Sequence, residues 1–420
     1  MTDNGNKPHP VRTLTVKNFS VIKEAKLEFG KITVLIGPQS SGKSLLCRLA
    51  FFFSQYLPEY ANNVARRRPA FTEISRAIQQ RFSEWFPATT WNGNNSEVVF
   101  SSGLYSISVS MEALENQPQI RFSPEFTDDY ERWKSTNNDT EEANRASEVF
   151  SVPFQPSGAI YIPSGRAFFS TPNKSIVAVS QKNLDWITQR FSTEMDFDYR
   201  AMIASSNERI DLLHDFGKQT ERILHGRVVF WDGAPRFQFS SDPRIVPFEL
   251  LSSGTLELLP ILNPLSKVIS STKFEKYLSG PESPRGPIFI EEPESGVFPK
   301  TQYELACLFA WTANSKPLNQ PFVITTHSPY VLTSFNNLIE AGQAARNNPA
   351  LKGEIAKIIP EQYWISEGDF KAYAIEDGNL KSILNESGFI EGNYLDQVSE
   401  VIGNEFDALL RLEYDHTKAS

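Results

Sequence analysis

The stretch that most constrains the fold is a buried strand followed by a glycine-rich octet and an apolar helix. Residues 31–46 read KITVLIGPQSSGKSLL, in which 31–36 is rich in β-branched residues and 37–44 matches G-x-x-x-x-G-K-[ST]. Backbone N–H groups freed by the glycines can surround a phosphate, and the helix N-terminus adds partial positive charge. Lys43 can reach the β- and γ-phosphates, while the Ser44 hydroxyl can ligate Mg²⁺. We therefore predict a nucleotide-binding P-loop; the alternative is a glycine-rich turn with an exposed lysine.

The octet and the residue after it are the predicted contacts to the nucleotide. Apolar residues at Leu45, Leu49, Phe52 and Tyr56 follow helical spacing, so we expect the P-loop to open a helix that is buried on most sides. The candidate ATP-binding residues in this stretch are Gly37, Pro38, Gln39, Ser40, Ser41, Gly42, Lys43, Ser44 and Leu45, with Ser44 also a candidate magnesium ligand.

Composition limits the class of protein. A chain of 420 residues with 40% hydrophobic content can bury a substantial core, and no apolar run is long enough to cross a membrane. The N-terminus has no signal-peptide pattern, and the two cysteines, Cys47 and Cys307, are expected to be buried on helices rather than paired. These features favour a cytoplasmic protein without a membrane partner. The net charge of -9 argues against indiscriminate nucleic-acid binding but leaves room for a local basic groove.

Other parts of the chain alternate between strand and helix patterns. We predict short strands around 13–16 and 24–29, then a small antiparallel unit with a hairpin around Ser102 and Gly103 and a third strand at 119–123. Helical spacing between 175 and 225 predicts two packed helices rather than a long coiled coil. Strands are predicted again at 227–230, 236–239 and 244–248.

Two arginine sites leave alternatives open. The consecutive arginines at 66–68 can contact phosphate or a partner, although three successive helical positions point in different directions and also suit a solvated surface. Arg166 follows a predicted core strand in 158–166. It can hold a phosphate or an acidic motif, or stabilise its own turn through an ion pair.

Acidic residues and a histidine follow two predicted buried strands in the second half of the chain. The strand at 288–290 precedes Glu291 and Glu292, and the strand at 322–325 precedes His327. A carboxylate at the end of a core strand beside a P-loop can hold Mg²⁺, and a second carboxylate can deprotonate the attacking water. A histidine on the neighbouring strand end can donate a hydrogen bond to the γ-phosphate. Each motif alone is weak, but their order and placement make the combination strong.

In this order, GPQSSGKS, LSSG, IFIEEPE and TTHSP resemble the motifs of ABC-type ATPases of the SMC, RecF and OLD-like branch. The resemblance covers 12–56 and 249–338. It implies that Glu291 is the Walker B magnesium ligand, that Glu292 is the catalytic base and that His327 is the switch histidine.

The same resemblance makes LSSG the signature, which contacts ATP bound to a second subunit. The candidate contacts are Ser252, Ser253 and Gly254, of which Ser252 and Gly254 would touch the γ-phosphate. Two residues depart from what is frequent in this branch, because Gln39 stands in place of asparagine and Thr255 in place of glutamine or glutamate. Gln155 is the candidate for the Q-loop glutamine.

The implied fold is α/β: a P-loop ABC-type ATPase head with a mixed core sheet, an antiparallel β unit and a helical insertion. The expected divisions are a flexible tail at 1–10, a first part of the head with the β unit at 11–170, a helical arm or lid at 171–226, a second part of the head at 227–340 and a C-terminal α/β extension at 341–420.

The compact layout is similar to ATPase subunits of bacterial anti-phage systems such as PARIS and Septu, since it lacks a nuclease domain and long coiled coils. This implies an ATP-hydrolysing, Mg²⁺-dependent sensor or regulatory subunit of a defence complex with a separately encoded effector. Self-association as an ATP-sandwich dimer or a larger oligomer is expected. The alternative is a RecF- or SMC-like DNA repair ATPase that clamps DNA as an ATP-bound dimer. A transporter ATPase fits poorly because 208 residues separate the P-loop from the signature.

Overall fold

A large mixed β-sheet, covered by helices, organises the chain, and a second sheet of three antiparallel strands lies beside the helices of one face. The computed structural model describes residues 11–56, 59, 69–91, 95–111, 117–135, 158–170, 185–194, 199, 202–203, 211–278, 286–315, 318–394 and 404–410.

The main sheet has eleven strands in the order β6-β5-β4-β1-β2-β14-β13-β3-β12-β11-β7, and the smaller sheet has the order β10-β9-β8. The strands are β1 Arg12–Phe19, β2 Ile22–Glu28, β3 Ile32–Ile36, β4 Ser96–Ser102, β5 Tyr105–Met111, β6 Gln119–Phe122, β7 Ile160–Ile162, β8 Gly226–Trp231, β9 Ala234–Phe239, β10 Ile245–Val246, β11 Ile288–Glu291, β12 Phe322–Thr326, β13 Phe370–Glu376 and β14 Asn379–Ser382.

The longer helices cover the sheet, and a further short helical stretch occupies 404–410. They are α1 Lys43–Phe51, α2 Phe71–Trp85, α3 Pro124–Lys134, α4 Trp186–Glu194, α5 Asp211–Leu224, α6 Ser253–Leu278, α7 Pro299–Asn314, α8 Pro329–Asn347 and α9 Lys352–Ile358. A π-helical turn extends α1 over Phe52–Tyr56, and α5 packs against α6 and α7.

Five neighbouring strands, β13, β3, β12, β11 and β7, are parallel and buried on both faces. In β3, Ile32 and Val34 belong to the core on one face, whereas Leu35 belongs to the core on the other. Side chains alternate between the faces of a strand, so a strand covered on both sides needs apolar residues at consecutive positions. Because these strands are parallel, their carboxyl ends meet at one edge of the sheet, where the predicted motifs follow β3, β11 and β12.

The predicted strands before the P-loop and in the antiparallel unit are confirmed. β1 and β2 extend the predictions by a few residues, and β4 and β5 form the hairpin whose turn contains Gly103. The unit of β4, β5 and β6 continues the main sheet because β4 pairs with β1. The three strands predicted after residue 226 are also confirmed, and they form the smaller sheet.

The segment that sequence analysis treats as a C-terminal extension supplies strands to the middle of the main sheet. β13 pairs in parallel with β3 from Phe370 opposite Ile32 to Ala374 opposite Ile36, and β14 lies between β13 and β2. An ion pair between Lys31 Nζ and Asp369, at 2.9 Å, lies at the start of this pairing. The strand beside the P-loop strand therefore comes from near the end of the chain.

Both cysteines are buried and free, as predicted, with Cys47 on α1 and Cys307 on α7. None of the helices that the structure describes is long and apolar enough to cross a membrane. Three sequence predictions lie outside the described residues: the flexible tail at 1–10, the arginines at 66–68 and Gln155.

Candidate nucleotide site

The P-loop connects β3 to α1, as the sequence predicts. Lys43 is the first residue of α1 and is only 6% exposed, and its Nζ donates hydrogen bonds to the carbonyl oxygens of Gly37 at 2.7 Å and Pro38 at 2.8 Å. Burial lowers the pKa of Lys43, while negative charges led by Glu292 oppose that shift. The ammonium group therefore lies within the loop and within electrostatic reach of the acidic motif.

Glycine is required at both positions of the octet, at Gly42 by its backbone conformation and at Gly37 by a close backbone contact. A Cβ on Gly42, whose φ is 106°, would lie 2.4 Å from Cδ1 of Ile22. A Cβ on Gly37 would lie 2.7 Å from the carbonyl oxygen of Ile375 on β13 and 3.0 Å from Ser41 Oγ. Ser41 Oγ is buried and has no hydrogen-bond partner among the described residues. The loop thus presents a narrow cradle with an ammonium group and an unused hydroxyl.

Glu291 is the last residue of β11 and is almost fully buried. Its Oε1 accepts a hydrogen bond from the Tyr161 hydroxyl at 2.6 Å, and its Oε2 accepts one from the Ser164 N–H at 3.0 Å. Burial, followed by the charge of Glu291, raises the pKa of Tyr161, which keeps the hydroxyl protonated as a donor. Tyr161 lies on β7, the parallel neighbour of β11, so sheet pairing brings donor and acceptor together.

Glu292 leaves the strand in a left-handed conformation with φ of 45°. Such a conformation is unfavourable for a residue with a Cβ and needs support from its surroundings. The N–H of Glu292 donates to the carbonyl oxygen of Thr325 at 2.9 Å. Its Oε1 lies 3.5 Å from Nε2 of His327, and both side chains are partly exposed. The two predicted catalytic side chains thus meet at the carboxyl edge of the sheet.

Glu294 is a site residue that sequence analysis does not single out. Its Oε1 accepts hydrogen bonds from Thr326 Oγ1 at 2.8 Å and from the His327 N–H at 2.6 Å. Its other oxygen is buried and accepts no hydrogen bond from a described residue. The only sequence signal for this residue was a third glutamate in EEPE. Its role could not be predicted, because its hydrogen-bond donor Thr326 lies 32 residues later, at the end of another strand.

The structure decides between the roles predicted for Arg166. Its side chain holds the backbone of the acidic motif. The side chain is fully buried, and its guanidinium donates to the carbonyl oxygens of both Glu291 and Glu292. It also lies 3.4 Å from Oε2 of Glu257, so an ion pair is part of the same arrangement.

The signature residues lie at the start of α6. Ser252 and Ser253 are exposed, and Ser252 Oγ accepts a hydrogen bond from the Thr255 N–H at 3.3 Å. A Cβ on Gly254 would lie 2.8 Å from the carbonyl oxygen of Gly296, in the loop after the acidic motif. The structure therefore brings the signature next to the acidic motif, and the hydroxyl of Ser252 caps its own helix.

Residues 32–333 match the sequence profile of the family described as "AAA domain, putative AbiEii toxin, Type IV TA system". The match covers more than two thirds of the chain. The chain belongs to this family. The matched span contains the P-loop, the predicted signature, the acidic motif and His327, whereas β13 and β14 follow it.

Solved structures similar to the chain include three SMC heads. An SMC head bound to the C-winged helix domain of ScpA is 9% identical over 89% of this chain and 97% of that chain, with a TM-score of 0.44. The SMC head domain from Thermotoga maritima is 10% identical over 90% of this chain and 99% of that chain, with a TM-score of 0.39. An SMC head with an extended coiled coil bound to the C-terminal domain of ScpA, derived from Pyrococcus furiosus, is 10% identical over 90% of this chain and 96% of that chain, with a TM-score of 0.40. No curated protein matches the chain in sequence.

Proposed function

We infer that the chain binds ATP with Mg²⁺ and hydrolyses it, with the AAA domain as the catalytic unit. The observation that carries this inference is the pairing of a P-loop with Glu292 and His327 at one edge of the parallel strands. Oε1 of Glu292 and Nε2 of His327 are 3.5 Å apart. Glu292 is also the negative charge that most strongly raises the pKa of Lys43, against the effect of burial. A carboxylate and an imidazole beside a phosphate-binding loop suit phosphoryl transfer to water.

The residues present fit a triphosphate and a divalent cation. The cradle requires glycine at positions 37 and 42, and the buried Ser41 hydroxyl is free to donate to a phosphate oxygen. Mg²⁺ prefers oxygen ligands, which Ser44 and the Glu291 carboxylate supply, directly or through water. Each oxygen of Glu291 accepts one described hydrogen bond and retains further acceptor capacity. When bound, the metal would neutralise charge on the β- and γ-phosphates.

The chain's own residues then account for the hydrolytic step. Lys43 binds the β- and γ-phosphates, and Glu292 takes a proton from the water that attacks the γ-phosphorus. The bond from that phosphorus to the β,γ-bridging oxygen breaks, which gives ADP and phosphate. His327 donates a hydrogen bond to the γ-phosphate, and its backbone is held by Glu294. Arg166 and Thr325 maintain the backbone conformation that presents the Glu292 carboxylate.

We further propose that two copies close head to tail over two ATP molecules. Ser252 and Ser253 are exposed, and large apolar side chains are exposed beside three of the motifs. These side chains are Leu250 at 73%, Phe298 at 75% and Tyr330 at 56%. In this arrangement a second copy would cover these three side chains. A second copy would place its signature over the γ-phosphate.

Cysteine cross-linking tests this closure. A chain with Ser40→Cys and Ser252→Cys should form a disulfide between subunits only when ATP is present, because closure brings one subunit's P-loop to the other's signature. The two native cysteines are buried, so each single-cysteine variant provides a clean control. No ATP-dependent cross-link would contradict the head-to-tail arrangement.

Light scattering of the hydrolysis-deficient Glu292→Gln variant gives an independent reading of the same closure. Its mass should increase with ATP, and adding Ser252→Arg should abolish the increase. Ser252→Ala removes the hydroxyl without adding bulk or charge, so it should retain more of the ATP-dependent association than Ser252→Arg.

The biological role that we propose is that of a sensor or regulatory ATPase in a bacterial defence complex with a separately encoded effector. It is supported by the compact motif layout and by the family description, which names a toxin of a toxin–antitoxin system. Co-expression of the tagged chain with the proteins that its neighbouring genes encode, followed by purification, tests this role. A neighbouring protein that co-purifies and is released by ATP hydrolysis supports it, whereas ATP-dependent retention of duplex DNA without such a protein favours the DNA clamp.

A further inference from the structure

One buried arginine joins the signature helix to the catalytic glutamate. The Arg166 side chain is 0% exposed and lies in the turn that follows β7. Its Nη1 donates to the Glu291 carbonyl oxygen at 2.6 Å, its Nη2 to the Glu292 carbonyl oxygen at 3.0 Å, and its Nε to the Glu257 carbonyl oxygen at 3.0 Å. A planar guanidinium can bridge three acceptors in this way, whereas a lysine ammonium cannot reach them in the same geometry.

The acceptors belong to two separate elements. Glu257 is in the first turns of α6, three residues after Gly254 of the signature, while Glu291 and Glu292 end β11. The two elements also touch where Gly254 packs against the Gly296 carbonyl. A displacement of the signature turn must therefore change either this contact or the hydrogen bonds of Arg166.

The charge arrangement around Arg166 makes the connection sensitive to small movements. Oε2 of Glu257 lies 3.4 Å from Nε of Arg166 and has no hydrogen-bond partner among the described residues. Burial raises the pKa of Glu257 and lowers that of Arg166, since desolvation acts against both charges. A buried ion pair that lacks full hydrogen bonding gains or loses stability with small changes in geometry.

Glu292, which Arg166 contacts on β11, is the strained residue of the site. Glu292 has a φ of 45°, and Arg166 holds its carbonyl oxygen. Rotation of that peptide would redirect the Glu292 carboxylate, which lies 3.5 Å from His327. Small errors in the position of a catalytic group reduce turnover strongly.

We propose that Arg166 is a positioning residue that transmits the position of its own subunit's signature to Glu292 of the same subunit. In the closed pair, that signature contacts ATP bound to the partner. Arg166 thus couples the two ATP sites, so that ATP bound at one site sets the hydrolytic competence of the other. This inference rests on the proposed ATPase and its head-to-tail pair.

Steady-state hydrolysis as a function of ATP concentration tests the coupling. For two linked sites, the wild-type chain should show a Hill coefficient above 1 and up to about 2, and Arg166→Lys should lower it to about 1. Arg166→Lys should also reduce kcat about tenfold, while ATP affinity changes less than about twofold, because the P-loop is untouched.

Two further variants complete the test. Glu257→Gln leaves the Glu291 and Glu292 carbonyl contacts in place but removes the charge on α6, so it should also reduce the Hill coefficient. It decides the question if Arg166→Lys does not fold. Arg222→Lys alters another arginine–glutamate pair, with Glu304 at 3.6 Å, and should leave both kinetic parameters unchanged.

The outcomes separate the two proposals. A wild-type Hill coefficient of about 1, or an unchanged coefficient in folded Arg166→Lys, would overturn the coupling while leaving the ATPase intact. If Arg166→Lys does not fold, an unchanged coefficient in Glu257→Gln overturns it in the same way. An absence of hydrolysis by the wild-type chain would overturn both.

Discussion

The two halves of the nucleotide site are constructed in different ways. The P-loop is one run of eight residues whose lysine bonds to carbonyls five and six positions away. In the acidic half, Glu291 and Glu292 are held by Tyr161 and Arg166, which are more than a hundred residues earlier in the chain, and Glu294 holds the backbone of His327. We propose that the first half supplies binding through local backbone geometry, whereas the second supplies turnover through tertiary positioning. Mutations in the two halves should therefore separate affinity from rate.

The largest expected effect breaks the P-loop half. Lys43→Ala removes the ammonium group that we propose donates to the β- and γ-phosphates. Two charge-assisted hydrogen bonds, each worth about 2 kcal/mol, would be lost, so the ATP dissociation constant should rise about 10³-fold. Titration with fluorescent ATP measures this change. Lys31→Ala removes only the ion pair with Asp369 and should bind ATP like the wild type. Unchanged affinity in Lys43→Ala would show that nucleotide binds elsewhere.

Glu292→Gln should affect the rate and spare binding. Loss of the general base should reduce turnover about 10²-fold or more, with ATP and Mg²⁺ still bound. Glu291→Gln should instead raise the Mg²⁺ concentration needed for hydrolysis. Phosphate release over a Mg²⁺ titration measures both, with the exposed Glu340→Gln as a control. Identical titration curves for the two site variants would contradict the division of roles.

Glu294→Ala should sharpen the distinction, because it alters the acidic half without removing a catalytic group. The His327 N–H and the Thr326 hydroxyl lose their acceptor, so kcat should decrease about tenfold while ATP affinity is retained. Glu294→Gln keeps an acceptor oxygen and should recover part of the rate. Equal rates in the alanine and glutamine variants would argue against positioning of His327 by this side chain.

Tyr161→Phe should have the smallest effect and should appear mainly in stability. Glu291 would lose one of its two described donors in a buried site, which lowers the free energy of unfolding by about 1–2 kcal/mol. Thermal unfolding measures the loss. Tyr105→Phe is the matched control, because Tyr105 also donates to a carboxylate, that of Asp129, but at a partly exposed position. An equal or greater loss in the control would mean that the Glu291 contact contributes little.

Most of the framework around the site was predictable because its signals are local. The strand before Lys43 and the buried strands before Glu291 and His327 are confirmed as β3, β11 and β12. Each is a short apolar run bounded by glycine, proline or charged residues, and a strand buried on both faces requires such a run.

The supporting contacts were not predictable, because they depend on which strands become neighbours. No local pattern places Ile375 against Gly37, since that contact requires β13 to pair with β3. Likewise, Glu294 becomes an acceptor for the His327 loop only because β11 and β12 pair in parallel. The sequence identified Arg166 as a strand-end residue with several possible partners. Only the fold showed that its partner is the backbone of the acidic motif.

The sequence by itself determined the P-loop, the order of the motifs and the strands that carry them, because backbone conformation and burial follow from residues close in the chain. Only the tertiary structure decided that the C-terminal strands β13 and β14 lie in the centre of the sheet, that a left-handed Glu292 faces His327, and that Arg166 spans α6 and β11. These features depend on strand register and on donors and acceptors far apart in sequence. Their partners are selected when the sheet closes and most buried polar groups must find a hydrogen bond.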